Sequence, residues 1–107
     1  MDAALKALAE PRRREILRLV WIRELPATDI ADHFAEVTRS AISQHLAVLK
    51  TAGLVTERRD GTRRFYRVRP EGLKELREFL EGFWTFSLEQ LKREAEVEQR
   101  RKRGTRN

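Results

Sequence analysis

Apolar positions along the chain change period in a readable order. Residues 3–9, AALKALA, form a short Ala/Leu run with helical preference, and Pro11 then suits the first turn of a second helix, where a missing N–H costs nothing. Ile16, Leu17 and Val20 supply that helix with an apolar stripe. In ELPATDIADHF a third helix is expected to begin near Pro26 or Thr28, with Ile30, Ala31 and Phe34 turned inward. After the break AEV, Thr38 can cap a fourth helix whose Ile42, Leu46 and Leu49 fall in one narrow arc. Ser40, Ser43, Gln44, Ala47 and Thr51 project to the other side, and Gly53 stands at the C-terminal stop.

The period then shortens to two. The runs LVTERR and TRRFYRV read as strands joined at Asp60-Gly61, a hairpin signal because a type I′ turn needs positive φ at both central residues. That turn would set Glu57 opposite Arg64 and Val55 opposite Tyr66. Pro70 opens a last helix carrying Leu73, Leu76, Leu80, Phe83, Leu88 and Leu91. Continuous to about residue 96, it would run ~40 Å, more than one small domain can cover. Its uncovered stripe, with the aromatic cluster FLEGFWTF that includes Trp84, calls for a partner helix. EQRRKRGTRN, residues 98–107, has no apolar period and is expected to be a disordered basic tail beyond a single domain of residues 1–97.

Charge sharpens this outline. The 107 residues carry a net charge of +6, but residues 38–69 hold 8 basic and 2 acidic side chains, and residues 98–107 hold 5 and 1. The other two segments, residues 1–37 and 70–97, are net acidic, so the excess is clustered as on a polyanion-binding face. Cysteine is absent, which excludes disulfides, thiolate metal sites and redox thiols. No apolar run approaches the ~18 residues of a membrane span, and the N-terminus lacks a signal-peptide core, so a cytoplasmic protein is expected. Two isolated histidines and no Gly-rich phosphate loop leave no catalytic constellation, so an enzyme is not expected.

Helix, short turn, helix with a small-polar outer face, then a basic hairpin is the plan of a winged helix-turn-helix. The fold class is thus mainly α with a β-hairpin wing, the second helix in the DNA major groove and the wing on phosphates. Gln44 can bond an adenine edge in two places, Ser40 and Ser43 can donate or accept, and Ala47 leaves room for a thymine methyl. Thr38, Arg39 and Lys50 border that face, while Arg58, Arg59, Arg63 and Arg64 flank the hairpin tip and can neutralise phosphate. His45 borders the apolar arc, so packing or hydrogen bonding is favoured over its DNA contact, and His33 reads as a surface residue. A winged-helix module that binds protein is the alternative, but it would need no basic wing.

The chain resembles the ArsR/SmtB-type bacterial transcriptional repressors through LAEPRRREIL, ELPATDIADHF, SQHLAVLKTAGLV and RRDGTRRFYRV, over roughly residues 3–96. The resemblance implies a homodimer joined through its first and last helices, here Leu5 and Leu8 with Leu73, Leu76, Leu80, Phe83, Trp84, Leu88 and Leu91. It also implies double-stranded operator DNA with two-fold symmetry, Ser43 and Gln44 being the first candidates for base contact. Where metal-sensing members carry Cys-x-Cys after Glu-Leu, this chain has Pro26, Ala27 and Thr28, and its last helix contains no His. Neither family metal site can be assembled, so no metal or cofactor is expected. The turn FAEVTRS is one residue longer than the family pattern.

Overall fold

A computed structural model describes residues 1–104. The elements run α1 (Asp2–Leu8), α2 (Pro11–Leu19), β1 (Leu25–Pro26), α3 (Ala27–Asp32), α4 (Arg39–Thr51), β2 (Val55–Asp60), β3 (Arg63–Val68) and α5 (Pro70–Gly104). They divide into two units, Met1–Leu76 and Arg77–Asn107. No described helix is long and apolar enough to cross a membrane.

The first unit closes over one apolar core. Ile16, Leu17 and Val20 of α2, Ile30 of α3, and Ile42, Leu46 and Leu49 of α4 are buried together with Leu54, Val55, Tyr66 and Val68. All but Leu54 and Val68 are positions that helical and strand patterning singled out, while Ala31 and Phe34, also expected inward, are partly buried against this core. α1 joins through the small Ala4 and Ala7. Two arginines hold its C-terminal end: Arg13 Nε donates to the Ala7 carbonyl at 2.6 Å and Arg14 Nη1 to that of Leu8 at 2.8 Å. Guanidinium groups there satisfy orphan carbonyls and oppose the negative end of the helix.

α4 begins and ends as its sequence dictates. Thr38 Oγ1 accepts the Ala41 N–H at 3.1 Å. Gly53 takes φ +75°, its N–H donating to the Lys50 carbonyl and that of Leu54 to Leu49, both at 3.0 Å, which is the Schellman closure. The first turn of α5 settles on this corner, and a Cβ at Gly72 would overlap the Gly53 carbonyl oxygen. Thr38→Ala should cost about 1 kcal/mol by freeing the capped N–H. A Tm within 1 °C of wild type in thermal melts would show the cap to be idle.

The sheet departs from expectation twice. It has three strands in the order β1-β3-β2, Leu25 and Pro26 pairing with Tyr66 and Phe65. Two residues before a helix carry too little periodicity to announce a strand, and the third helix accordingly starts at Ala27. The hairpin turns at Gly61-Thr62, not Asp60-Gly61, with Asp60 opposite Arg63, Arg59 opposite Arg64, Glu57 opposite Tyr66 and Val55 opposite Val68. Gly61 alone of the two takes positive φ, +63°, as a type II′ turn requires, so Gly-Thr rather than Asp-Gly supplies the turn chemistry. The register therefore moves by two residues, which keeps every side chain on its expected face.

The second unit is helical from Arg77 as far as Gly104, so the helix does not stop near residue 96 and the basic run through residue 104 is not disordered. Arg, Lys, Glu and Gln are strong helix formers, and Arg101 pairs with Glu98 at 3.0 Å one turn back. Residues 105–107, also assigned to the disordered tail, lie outside the described residues. Leu80, Phe83, Trp84, Leu88 and Leu91 are all exposed, and so are Phe79, Phe86 and Val97, which the leucine spacing did not single out.

Candidate nucleic-acid interface

Burial of Ile42, Leu46 and Leu49 fixes the rotation of α4, and with it what the helix shows to solvent. Ser40, Ser43, Gln44, Ala47 and Thr51 are exposed, as are Thr38, Arg39 and Lys50 at its ends. Ser40, Ser43 and Gln44 therefore stand together on one open face, and Arg39 is tied to Asp32 of α3 at 3.3 Å. His45 does not join that face. Its side chain is 19% exposed and sits against α2, Nδ1 being 3.4 Å from Arg13 Nη1 and Nε2 3.9 Å from Glu10 Oε2. Glu10 also accepts the Arg13 N–H as the N-cap of α2, so His45 links α4 to the start of that helix.

Glu57 connects α4 to the wing, a role its place in a basic strand did not suggest. Its carboxylate accepts the Tyr66 hydroxyl at 2.8 Å and lies 3.6 Å from Lys50 Nζ and 3.5 Å from Arg59 Nε. The Tyr66 hydrogen bond, helped by Lys50 and Arg64, holds the Glu57 carboxyl below its ordinary pKa, while burial acts the other way. Burial and the same hydrogen bond raise the Tyr66 phenol. A lowered carboxyl contributes stability that is present above its unfolded pKa and lost as pH falls through its folded value. The tie is therefore intact at neutral pH.

The hairpin sorts the four wing arginines into two pairs, since alternate residues point to opposite faces. Arg59 and Arg64 are directly opposite one another on the face that carries Glu57, beside the end of α4. Arg58 and Arg63 occupy the other face and both stack on Phe65, with guanidinium carbons 4.6 and 5.0 Å from its ring centroid. Arg58 also donates a fork of hydrogen bonds to the Glu24 carboxylate, between 2.7 and 3.2 Å, which holds the Glu24 carboxyl below its usual range. Glu24 was not legible as a wing residue, since only the β1–β3 pairing brings it to the hairpin. Arg67, exposed on β3, adds a further cation.

Of the residues assigned to a helical interface, Leu80, Phe83, Trp84, Leu88 and Leu91 are open, and Leu5 is half-open. Leu76 is buried at 6% exposure, and Leu8 and Leu73 are partly buried against the core of the first unit. Periodicity places a side chain on a face but does not say which end of a long stripe the protomer itself covers.

A short α3, a turn, an exposed polar α4 and a hairpin braced on its end define a winged helix-turn-helix protein. The family model for bacterial regulatory proteins of the arsR family matches residues 10–57. The chain is 46% identical over 87 residues to the HTH-type transcriptional regulator Rv2034 of Mycobacterium tuberculosis (strain ATCC 25618 / H37Rv), spanning 81% of this chain and 80% of that protein. A crystal structure described as a possible transcriptional regulator for arsenical resistance superimposes with a TM-score of 0.70 at 46% identity, over 78% of this chain and 85% of that one. The solution structure of the homodimeric winged helix-turn-helix DNA-binding domain of Mb0332 from Mycobacterium bovis, a possible ArsR-family regulator, gives 0.63 at 34% identity, over 77% and 75%. The chain belongs to the ArsR family of bacterial regulatory proteins. It is a helix-turn-helix transcriptional regulator and not an enzyme.

Proposed function

We propose that the chain is a cytoplasmic repressor that binds a two-fold symmetric operator as a homodimer, with α4 reading bases and the wing engaging phosphates. The carrying observation is the open face of Ser40, Ser43 and Gln44, bordered on the wing side by Lys50, Arg59 and Arg64. Short hydrogen-bonding side chains can meet base edges closely, and the cations beside them meet the backbone. The exposed stripe from Leu80 to Leu91 supports the homodimer, as does the homodimeric state of the Mycobacterium bovis neighbour. A dimer places two recognition helices one helical turn of DNA apart, and operator symmetry follows from that. Occupancy of such a site excludes polymerase, which is the simplest route to repression.

Duplexes selected from a random-sequence library should converge on an inverted repeat whose half-sites are ~10 bp apart, centre to centre. Enrichment of nothing, or of a single half-site, would refute the reading. Because Pro26, Ala27 and Thr28 stand where a thiolate pair would be needed, Zn²⁺, Cd²⁺ and arsenite at stoichiometric levels should leave affinity for the selected duplex unchanged. Fluorescence anisotropy with and without each ion checks this, and release by any one of them would reveal a different sensing site.

A further inference from the structure

The exposed face of α4 has two flanks, and the wing occupies one. Projected at 100° per residue from the buried Ile42–Leu46–Leu49 side, Lys50 and Val48 fall on opposite sides of the outward face. Lys50 approaches Glu57, so the wing lies on its flank. Beside Val48 runs an open groove of about 430 Å³ between α4 and α1, lined by Ala47, Val48 and Thr51 on one wall and Ala3 and Lys6 on the other. Small side chains keep it open, and no carboxylate is among its lining residues.

Two cations reach this groove, and they differ in how they are engaged. Arg13 donates to the carbonyls of Ala7 and Lys6, at 2.6 and 3.3 Å, and contacts His45. It thereby pins the last turn of α1 beside α4 and fixes where Lys6 stands. The Lys6 ammonium is exposed and forms no ion pair among the described residues.

B-DNA constrains what such a flank meets. A helix with its side chains is ~10–12 Å across and the major groove ~12 Å wide, so a recognition helix has a phosphate backbone along each side. We infer that Lys6 is a DNA-phosphate contact, gripping the backbone across the major groove from the wing. This rests on the assignment of α4 to the major groove. The small Ala47 and Thr51 let that backbone approach, and Lys6 answers it as Arg59 and Arg64 answer the other strand. A cation on each flank centres the helix between the strands, so α1 takes part in binding DNA.

Affinity for the selected duplex and for a random-sequence duplex, measured across a salt series, tests this on the full-length protein. Lys6→Gln should weaken both duplexes by the same factor and make the slope of log affinity against log salt shallower by ~0.9 per protomer, about 1.8 for a dimer. Lys6→Arg should restore the slope, and Lys74→Gln on α5 should leave it intact. A full slope in Lys6→Gln, while Arg64→Ala loses its share, overturns the inference and leaves the recognition helix in place. Conversion of Lys6→Gln to a monomer in light scattering also overturns it, because Lys6 would then belong to the subunit interface. A wild-type protein that selects no duplex brings down the groove assignment and the Lys6 contact together.

Discussion

Replacing Phe83 and Leu91 together with glutamate is expected to turn a dimer of about twice 12.6 kDa into a monomer of 12.6 kDa. Both side chains are 62% exposed in the protomer, so they stabilise nothing within it that their removal would undo. Full burial of a Phe or Leu contributes roughly 1.5–3 kcal/mol, and a two-fold axis counts each substitution twice. The four losses sum to roughly 6–12 kcal/mol, comparable to the ~8 kcal/mol of a micromolar dimer, before the cost of desolvating four carboxylates. Light scattering coupled to gel filtration at micromolar concentration reads the mass, and far-ultraviolet circular dichroism should stay unchanged because Glu is a good helix former. Leu76→Glu provides the contrast: it is buried and should unfold the first unit instead. A wild-type monomer at that concentration, or a double variant that stays dimeric, would remove this stripe from the interface.

How far sequence alone reaches is visible in the same residues. Leucines at helical spacing announced an apolar stripe, but its division between Leu76, which its own chain buries, and Leu80 onward, which it does not, depends on where the first unit ends. Local chemistry was legible: Thr38 caps, Gly53 stops, and Ile42, Leu46 and Leu49 turn inward, because each depends on a few adjacent positions. Tertiary chemistry was not. Glu24 meets Arg58 across 34 residues, and Glu57 gathers Tyr66, Lys50 and Arg59 only once the hairpin register is set. That register slipped because Asp60-Gly61-Thr62 contains two acceptable turn pairs, and the φ of Asp60, which is not positive as a type I′ turn would need, decides between them. The basic run near the C-terminus was read from lack of apolar period, but an exposed helix needs none when its residues favour the conformation.

Base contacts and phosphate contacts leave different thermodynamic signatures, and that difference decides whether α4 and the wing are correctly assigned. Gln44→Ala should cost about 1–3 kcal/mol per half-site on the selected duplex, doubled in a dimer, while barely changing affinity for random DNA. A bidentate base contact discriminates among sequences, and its loss is felt only where the right base is present. Arg64→Ala, and Arg59→Ala beside it, should weaken both DNAs alike and make the salt slope shallower by ~0.9 per contact in each protomer. Arg58→Ala should alter the slope least of the wing variants, because Glu24 already neutralises that guanidinium through its forked contact. Glu24→Gln removes the neutralising charge, and should steepen the slope by freeing Arg58 for phosphate. The measurement is affinity for selected and random duplexes from 50 to 300 mM salt, a range of about sixfold over which a term of this size is readable. Equal losses on both DNAs for Gln44→Ala would mean that the open face of α4 does not read bases. An unaltered slope for Arg59→Ala and Arg64→Ala would move the phosphate contacts off the face of the wing that Glu57 braces against α4.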